Sequence, residues 1–128
     1  PMFNSAISAI IFNPQKDKVL LIQQYGQVDY ILVAGYINKG ENAKQTLIRE
    51  IQEEVNLKVV DYMYNDNEYY AKTNTLMHNY VAVVDSEDFH LTNEVDHAKW
   101  IPVDEVFNVM KQGSLAQSFV KRYLEKRG

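Results

Sequence analysis

The chain contains no cysteine, so no disulfide can staple it, no zinc ribbon can form, and nothing in its redox chemistry marks a compartment. Its three histidines, His78, His90 and His97, are too scattered for a histidine metal cluster, and ordinary strand or surface positions are expected for them. Positive charge is in short supply. Thirteen Lys and Arg against 17 Asp and Glu leave a net charge of −4, which argues against a nucleic-acid duplex or an anionic membrane as the main partner. No apolar run reaches transmembrane length, and the first residues lack the basic then apolar layout of an export signal, so a cytoplasmic location is expected. There are only three prolines, and no repeat, linker or low-complexity segment interrupts the 128 residues. The expectation is a single domain over residues 2–128, long enough to bury one core.

What is present is a run of short apolar segments around one charged helix. Residues 5–12 and 19–24 are apolar and β-branched, and the turn-forming stretch Asn13-Pro14-Gln15-Lys16-Asp17 between them predicts a hairpin. Residues 30–34 predict a strand that feeds Gly35, with Gly40 turning the chain into the helix. Strands are expected at 59–64, 68–71 and 76–84, with Asn65-Asp66-Asn67 as a turn. Pro102 suits the first turn of a short helix carrying Val103, Val106, Phe107 and Met110 on one face and ended by Gly113. Ser114 with Gln117 three residues on is a capping-box signal for a last helix burying Leu115, Phe119, Val120, Tyr123 and Leu124. This order predicts an α/β (α+β) layered domain, a mixed β-sheet with helices packed on its faces.

The stretch 35–57, GYINKGENAKQTLIREIQEEVNL, carries the chemistry. In a helix over 43–55, Ala43, Leu47, Ile51 and Val55 share a buried face, with Ile48 beside them. Glu50, Glu53 and Glu54 then converge at i, i+3 and i+4, Glu54 nearest the apolar border. Three acids that close repel one another unless a positive group sits among them. A hard divalent cation such as Mg²⁺ or Mn²⁺, which prefers carboxylate oxygen and bridges protein acids to phosphates, satisfies that need. The plainer alternative is a solvated acidic face with an ordinary Arg49–Glu53 pair. The spacing decides between them: Gly35, five residues, Glu41, seven residues, Arg49-Glu50, an aliphatic residue, one residue, Glu53-Glu54, then Leu57.

That pattern resembles the Nudix box, and the chain resembles a MutT-like single domain of the Nudix hydrolase family. The one departure in the box is Asn56 in place of Gly, after the helix, where Asn best tolerates the same left-handed backbone. The resemblance implies an α/β/α sandwich and a Mg²⁺-dependent (or Mn²⁺-dependent) hydrolase of phosphoanhydrides. It implies Glu50 and Glu54 as metal ligands, Glu53 as a direct or water-mediated third, and a backbone carbonyl of Ala34 or Gly35 in the coordination. Arg49 and Glu41 would hold the loop and orient the ligands. The general base is either Glu50 or a distant loop acid, and Glu94, six residues before Trp100, is that candidate, as catalyst or metal ligand.

Outside the box, Val33-Ala34-Gly35-Tyr36, Thr75-Leu76-Met77 and Gly113-Ser114-Leu115-Ala116 resemble segments of the NADH pyrophosphatase subgroup, where the last brings a small residue, here Ala116, to the substrate. The subgroup's Ser-Gln-Pro-Trp-Pro-Phe-Pro array is replaced by Asn67-Glu68-Tyr69-Tyr70-Ala71-Lys72-Thr73, and its zinc-binding cysteines are absent. Tyr69 and Tyr70 are candidates to stack on a base, Lys72 to meet a phosphate, and Thr75 to line the site. The resemblance thus implies cleavage of the pyrophosphate bond in a nucleoside diphosphate linked to another group, such as an NADH-like dinucleotide or ADP-ribose, releasing a phosphomonoester. Alternatives are a nucleoside triphosphate pyrophosphatase of house-cleaning type, or a non-catalytic nucleotide-binding module. The partner is a small nucleotide, and a homodimer is an open option because such domains often pair.

Overall fold

β1 (Asn4–Phe12) is the strand on which the sheet is assembled, because it is apolar on both faces and has neighbours along both edges. The computed structural model describes residues 2–92 and 94–127; Pro1, Asn93 and Gly128, the last of these the end of the expected domain, lie outside the described residues. After β1 come β2 (Lys18–Gln24), β3 (Val33–Tyr36), α1 (Ala43–Val55), β4 (Val59–Tyr70), a 3-10 turn (Ala71–Thr73), β5 (Thr75–Val84), β6 (Val95–Pro102), α2 (Val106–Val109) and α3 (Leu115–Arg127). The strands run β4-β5-β1-β2-β6 across the sheet. β3 pairs with the first half of β1 through Ala6↔Tyr36 to Ala9↔Val33, and β2 with its last residues, Ile11↔Leu20 and Phe12↔Val19. β1 and β5 are parallel while the other pairs are antiparallel, so the sheet is mixed.

Alternation along the strands builds two cores. Ile7, Ala9 and Ile11 face α1 and meet Leu47, Ile51 and Val55. Ile10 and Phe12 face the other way and meet Val106, Met110 and Val120. Each fully buried aliphatic side chain contributes about 1.5–3 kcal/mol, so the two layers hold α1 on one face of the sheet and α2 and α3 on the other. The expected α/β/α sandwich is therefore the observed one. No helix among the described residues is long and apolar enough to cross a membrane.

Three expected boundaries move. The stretch Asn65-Asp66-Asn67 is not a turn: β4 runs through it with a register shift between Tyr64 and Asp66. The reason is burial of Asn65, whose amide donates to Asn79 Oδ1 at 2.9 Å and to the Phe119 carbonyl at 3.0 Å, fastening the sheet to α3. The chain reverses instead at Asn74, left-handed with φ 49. The strand expected over 30–34 begins later, at Val33, because Tyr30 and Ile31 make only single bridges to Met110 and Ile22. Pro102 closes β6 rather than opening a helix, and the helix that follows has only four residues, with Val106 as its one buried side chain.

Candidate active site

α1 is fixed at both ends by its own sequence. Asn42 Oδ1 accepts the Gln45 N–H at 2.8 Å while Gln45 Oε1 accepts the Asn42 N–H at 2.9 Å, a reciprocal cap. At the other end Asn56 takes the left-handed conformation expected of it, φ 56 and ψ 43. Between the caps Leu47, Ile51 and Val55 are fully buried, whereas Ile48 is exposed and Thr46 takes the buried place beside them.

The charged face is organised by Arg49. Its Nε and Nη2 donate to the two oxygens of Glu41 at 2.7 and 2.9 Å, a bidentate pair. Nη1 donates to Glu50 Oε1 at 2.7 Å and Glu53 Oε2 at 3.3 Å, and Nη2 also reaches the Tyr36 carbonyl at 3.2 Å. Glu41 is held from its other side by the Asn38 N–H and the Thr46 hydroxyl. The Arg49 guanidinium, with those donors, pulls the Glu41 carboxyl down to about 2, and Glu41 and Glu50 in turn raise Arg49. Arg49 and Glu41 therefore tie the loop after β3 to α1. Gly35 has a packing reason: a Cβ there would overlap the Glu50 carboxylate, so only glycine lets that acid lie against β3.

Glu54 is the exception in this network. It is 4% exposed, further inside than its border position on the helix wheel suggests. Oε1 accepts the Gln24 amide at 2.7 Å, while Oε2 is buried with no hydrogen-bond partner. Removal from water, the facing Glu50 carboxyl, and the charges of Glu94 and Glu53 push the Glu54 carboxyl up to about 9. An orphaned buried carboxylate oxygen beside further acids lacks a positive partner. Among the described residues no three acids or histidines form a ready-made metal cage. The donor set is instead an open, all-oxygen one, which suits Mg²⁺ or Mn²⁺ completed by phosphate oxygens and water. Glu94, exposed in the turn before β6, directly precedes Val95, which pairs with Gln24, the residue bonded to Glu54, and so lies at the same end of the molecule.

A cleft of about 310 Å³ opens beside Gly35, lined by Ala6, Ala34, Gly35, Tyr36, Tyr70, Thr73, Thr75 and Met77. Strand register explains the lining: Ala6 pairs with Tyr36 and Met77, and Thr75 with Tyr70, so these side chains share one face. Gly35 is common to the cleft and to the acid cluster. Of the sequence candidates, Ala34, Gly35, Tyr70 and Thr75 meet here. Tyr69, one residue out of phase, points away and donates its hydroxyl to Asn74 Oδ1 at 2.6 Å. Lys72 is exposed on the 3-10 turn and Ala116 packs half-buried on the second core, so neither lines the cleft. Gln24 and Tyr36 were not among the candidates. Gln24 ends an ordinary apolar strand and has no signal of its own; Tyr36 adjoins Gly35, and strand alternation from Ala34 was the available signal.

The family model for the NUDIX domain matches residues 2–123. Among curated relatives, an NAD-capped RNA hydrolase NudC from Pseudomonas aeruginosa is 28% identical over 123 residues, covering 94% of this chain and 44% of the relative. One of the same name from Mannheimia succiniciproducens is 30% identical over 98 residues, covering 75% and 37%. The chain thus spans less than half the length of these relatives. Among solved structures, the NUDIX domain of Shewanella oneidensis NrtR complexed with ADP ribose superposes with TM-score 0.81 at 18% identity, covering 100% of this chain and 90% of that one. A C. elegans Ap4A hydrolase superposes with TM-score 0.77 at 18% identity, covering 95% and 97%. These likenesses share the sandwich described above.

Proposed function

We infer that this chain, which belongs to the Nudix family, acts over residues 2–128 as a Mg²⁺- or Mn²⁺-dependent hydrolase of a nucleoside diphosphate joined to a second group. The observation that carries the reading is the buried, unpartnered Oε2 of Glu54, near Glu50, whose carboxylate lies against Gly35, a residue that also lines the tyrosine-flanked cleft. Glu50 and Glu54 would hold the cation, with Glu53, Glu94 and the carbonyl of Ala34 or Gly35 completing its shell. When bound, the ion neutralises the anionic oxygens of the phosphoanhydride and makes water more acidic.

The remaining work falls to the chain's own groups. Tyr70 and Tyr36 bound a slot with a small-residue floor at Ala6 and Ala34, suited to a flat base or ribosyl group. Thr75 and Thr73 line its wall, with the Thr73 hydroxyl donating to Thr75 Oγ1 at 3.0 Å and the Thr75 hydroxyl to the Thr73 carbonyl at 2.9 Å. Arg49 keeps Glu50 and Glu53 aimed outward from α1, and Gln24 keeps Glu54 from turning away. Glu50 or Glu94 accepts the proton of the attacking water, and a phosphomonoester leaves. ADP ribose and an NAD cap, named for a neighbour and for relatives, are both nucleoside diphosphates joined to a second group, which supports this substrate class over a nucleoside triphosphate.

The test is a product-mass screen in ¹⁸O-labelled water, with Mg²⁺ and with Mn²⁺, against NADH, ADP-ribose, dinucleoside polyphosphates, nucleotide sugars and nucleoside triphosphates. The reading expects a labelled phosphomonoester from a diphosphate-linked compound and none from Glu54→Gln. Pyrophosphate release from a triphosphate alone would replace the substrate class. Binding with no turnover of any compound would replace the activity with nucleotide recognition.

A further inference from the structure

The α3 face of the sheet holds a second cavity, away from the cleft beside Gly35. Phe12 lies six residues along β1 from Ala6 and on the same face, which puts about 20 Å between them. Around Phe12 opens a pocket of about 160 Å³, about half the volume of the cleft. Val81 and Val83 of β5, Met63 of β4 and Tyr123 of α3 make its apolar wall, and the Tyr123 ring stands edge-on to Phe12 at 5.9 Å. A space of that size between aromatic and aliphatic walls suits one flat ring rather than a dinucleotide.

Two cations, Arg127 and Lys16, border this pocket. Arg49 and Arg122 both bond to acids, whereas Arg127, the third arginine of the chain, has no ion pair among the described residues. Its guanidinium lies over the Phe12 ring, 5.4 Å from the centroid, and Nη2 reaches the Lys16 carbonyl at 3.4 Å. Stacking on a ring leaves the N–H edge of a guanidinium open to an anion. Lys16 likewise has no ion pair among the described residues, and its backbone is set. It is left-handed at φ 61, its N–H donates to the Asn13 carbonyl at 2.9 Å, and Asn13 Oδ1 accepts the N–H groups of Asp17 and Lys18 at 3.0 Å each. Asp61 is the one acid among the described lining residues, and its Oδ1 already accepts the Tyr62 N–H at 2.9 Å. Two cations against one carboxylate leave this pocket positive in a chain of net charge −4.

We propose that this pocket is a second ligand site, which takes a nucleoside monophosphate: the base enters between Phe12, Tyr123 and the β5 valines, and the phosphate sits between Arg127 and Lys16. A phosphomonoester carries nearly two negative charges at neutral pH, which two cations match and a single carboxylate does not. Binding here involves none of the α1 acids, so it is independent of the hydrolase reading above.

The test is calorimetric titration of AMP into the full chain in EDTA, read beside the amide shifts of ¹⁵N-labelled protein. Saturable binding with shifts at Phe12, Val81 and Val83 is expected. Arg127→Ala weakens it at least about tenfold, the scale of a lost charge-assisted hydrogen bond. Lys16→Asn does the same without lowering the melting temperature, because Asn tolerates the left-handed turn. Tyr70→Ala in the cleft and Glu54→Gln in the acid cluster leave the affinity within about twofold. Adenosine and inorganic phosphate, each offering one part of the ligand, bind at least about tenfold more weakly than AMP. Shifts confined to Gly35, Tyr70 and Thr75, with affinity lost in Tyr70→Ala and kept in Arg127→Ala, would overturn the proposal by placing the nucleotide in the cleft alone. No binding of AMP, or inorganic phosphate binding as tightly as AMP, would overturn it as well.

Discussion

Two arginines each gather acids in this protein, one on each face of the sheet, and they do different jobs. On the α3 face Arg122 pairs with Asp66 at 3.3 Å and with Glu68, while Lys126 bonds to Asn65 Oδ1 nearby at 2.9 Å. Two acids meet two cations there, both carboxylates are well exposed, and Asp66 is held below its usual range mainly by the Asn67 N–H with help from Arg122. On the α1 face Arg49 alone serves Glu41, Glu50 and Glu53, and a fourth acid, Glu54, lies buried behind them with an orphaned oxygen. The α3 cluster is electrically complete and fastens a helix. The α1 cluster is incomplete in a way that hydrogen bonds within the chain do not repair, and an incomplete buried cluster is where an external cation has something to do.

Breaking the incomplete cluster should have the largest effect. Glu54→Gln and Glu50→Gln are expected to lower kcat by at least about 100-fold with the fold retained, as judged by circular dichroism and turnover. Gly35→Ala should follow closely, because its methyl group displaces the Glu50 carboxylate: about 100-fold in activity, with a lower melting temperature. Arg49→Ala, which frees the ligands without removing one, is expected to lower activity by about 10- to 100-fold. Arg122→Ala is the matched control on the complete cluster. It should leave kcat within about twofold and destabilise by about 1 kcal/mol or less in denaturant titrations, since its partners are exposed.

The two clusters also separate how far the sequence could be read. Helical periodicity brought Glu50, Glu53 and Glu54 together, and the resemblance to the Nudix box added Gly35, Glu41 and Arg49 to them, because a helix and a loop of fixed length determine that end of the molecule locally. Helix α1 falls within the expected limits for the same reason, with apolar residues at four-residue steps between two Asn caps. The α3 cluster was not legible. Asn65-Asp66-Asn67 has the composition of a turn, and only its partners from residues 79 and 119, distant in sequence, make it a bulged strand. The cleft fell between these cases. Tyr70 and Thr75 were named, but the phase of β4 that sends Tyr69 to the opposite face depends on that bulge, and the hold of Gln24 on Glu54 depends on another.

A smaller effect sharpens the comparison through pH. The Glu54 carboxyl is raised in the folded chain from an ordinary 4.5 to about 9, so in the metal-free protein its stability is greatest below about pH 4.5 and declines as pH rises toward 9. Thermal melts in EDTA should show this decline in the parent and a flatter profile in Glu54→Gln. Glu41 has the opposite sign: its carboxyl is lowered to about 2, so what it contributes is present above its usual range and is lost as pH falls through about 2.

The central claim, that the α1 cluster is completed by a divalent cation held through Glu54, is tested most directly by calorimetric titration of Mn²⁺ into the metal-free chain and into Glu54→Gln at pH 8. Saturable binding in the parent that is abolished or weakened at least about tenfold in Glu54→Gln, and unchanged in Arg122→Ala, is the expected result. Equal binding in the parent and Glu54→Gln, or no binding in either, would contradict the account.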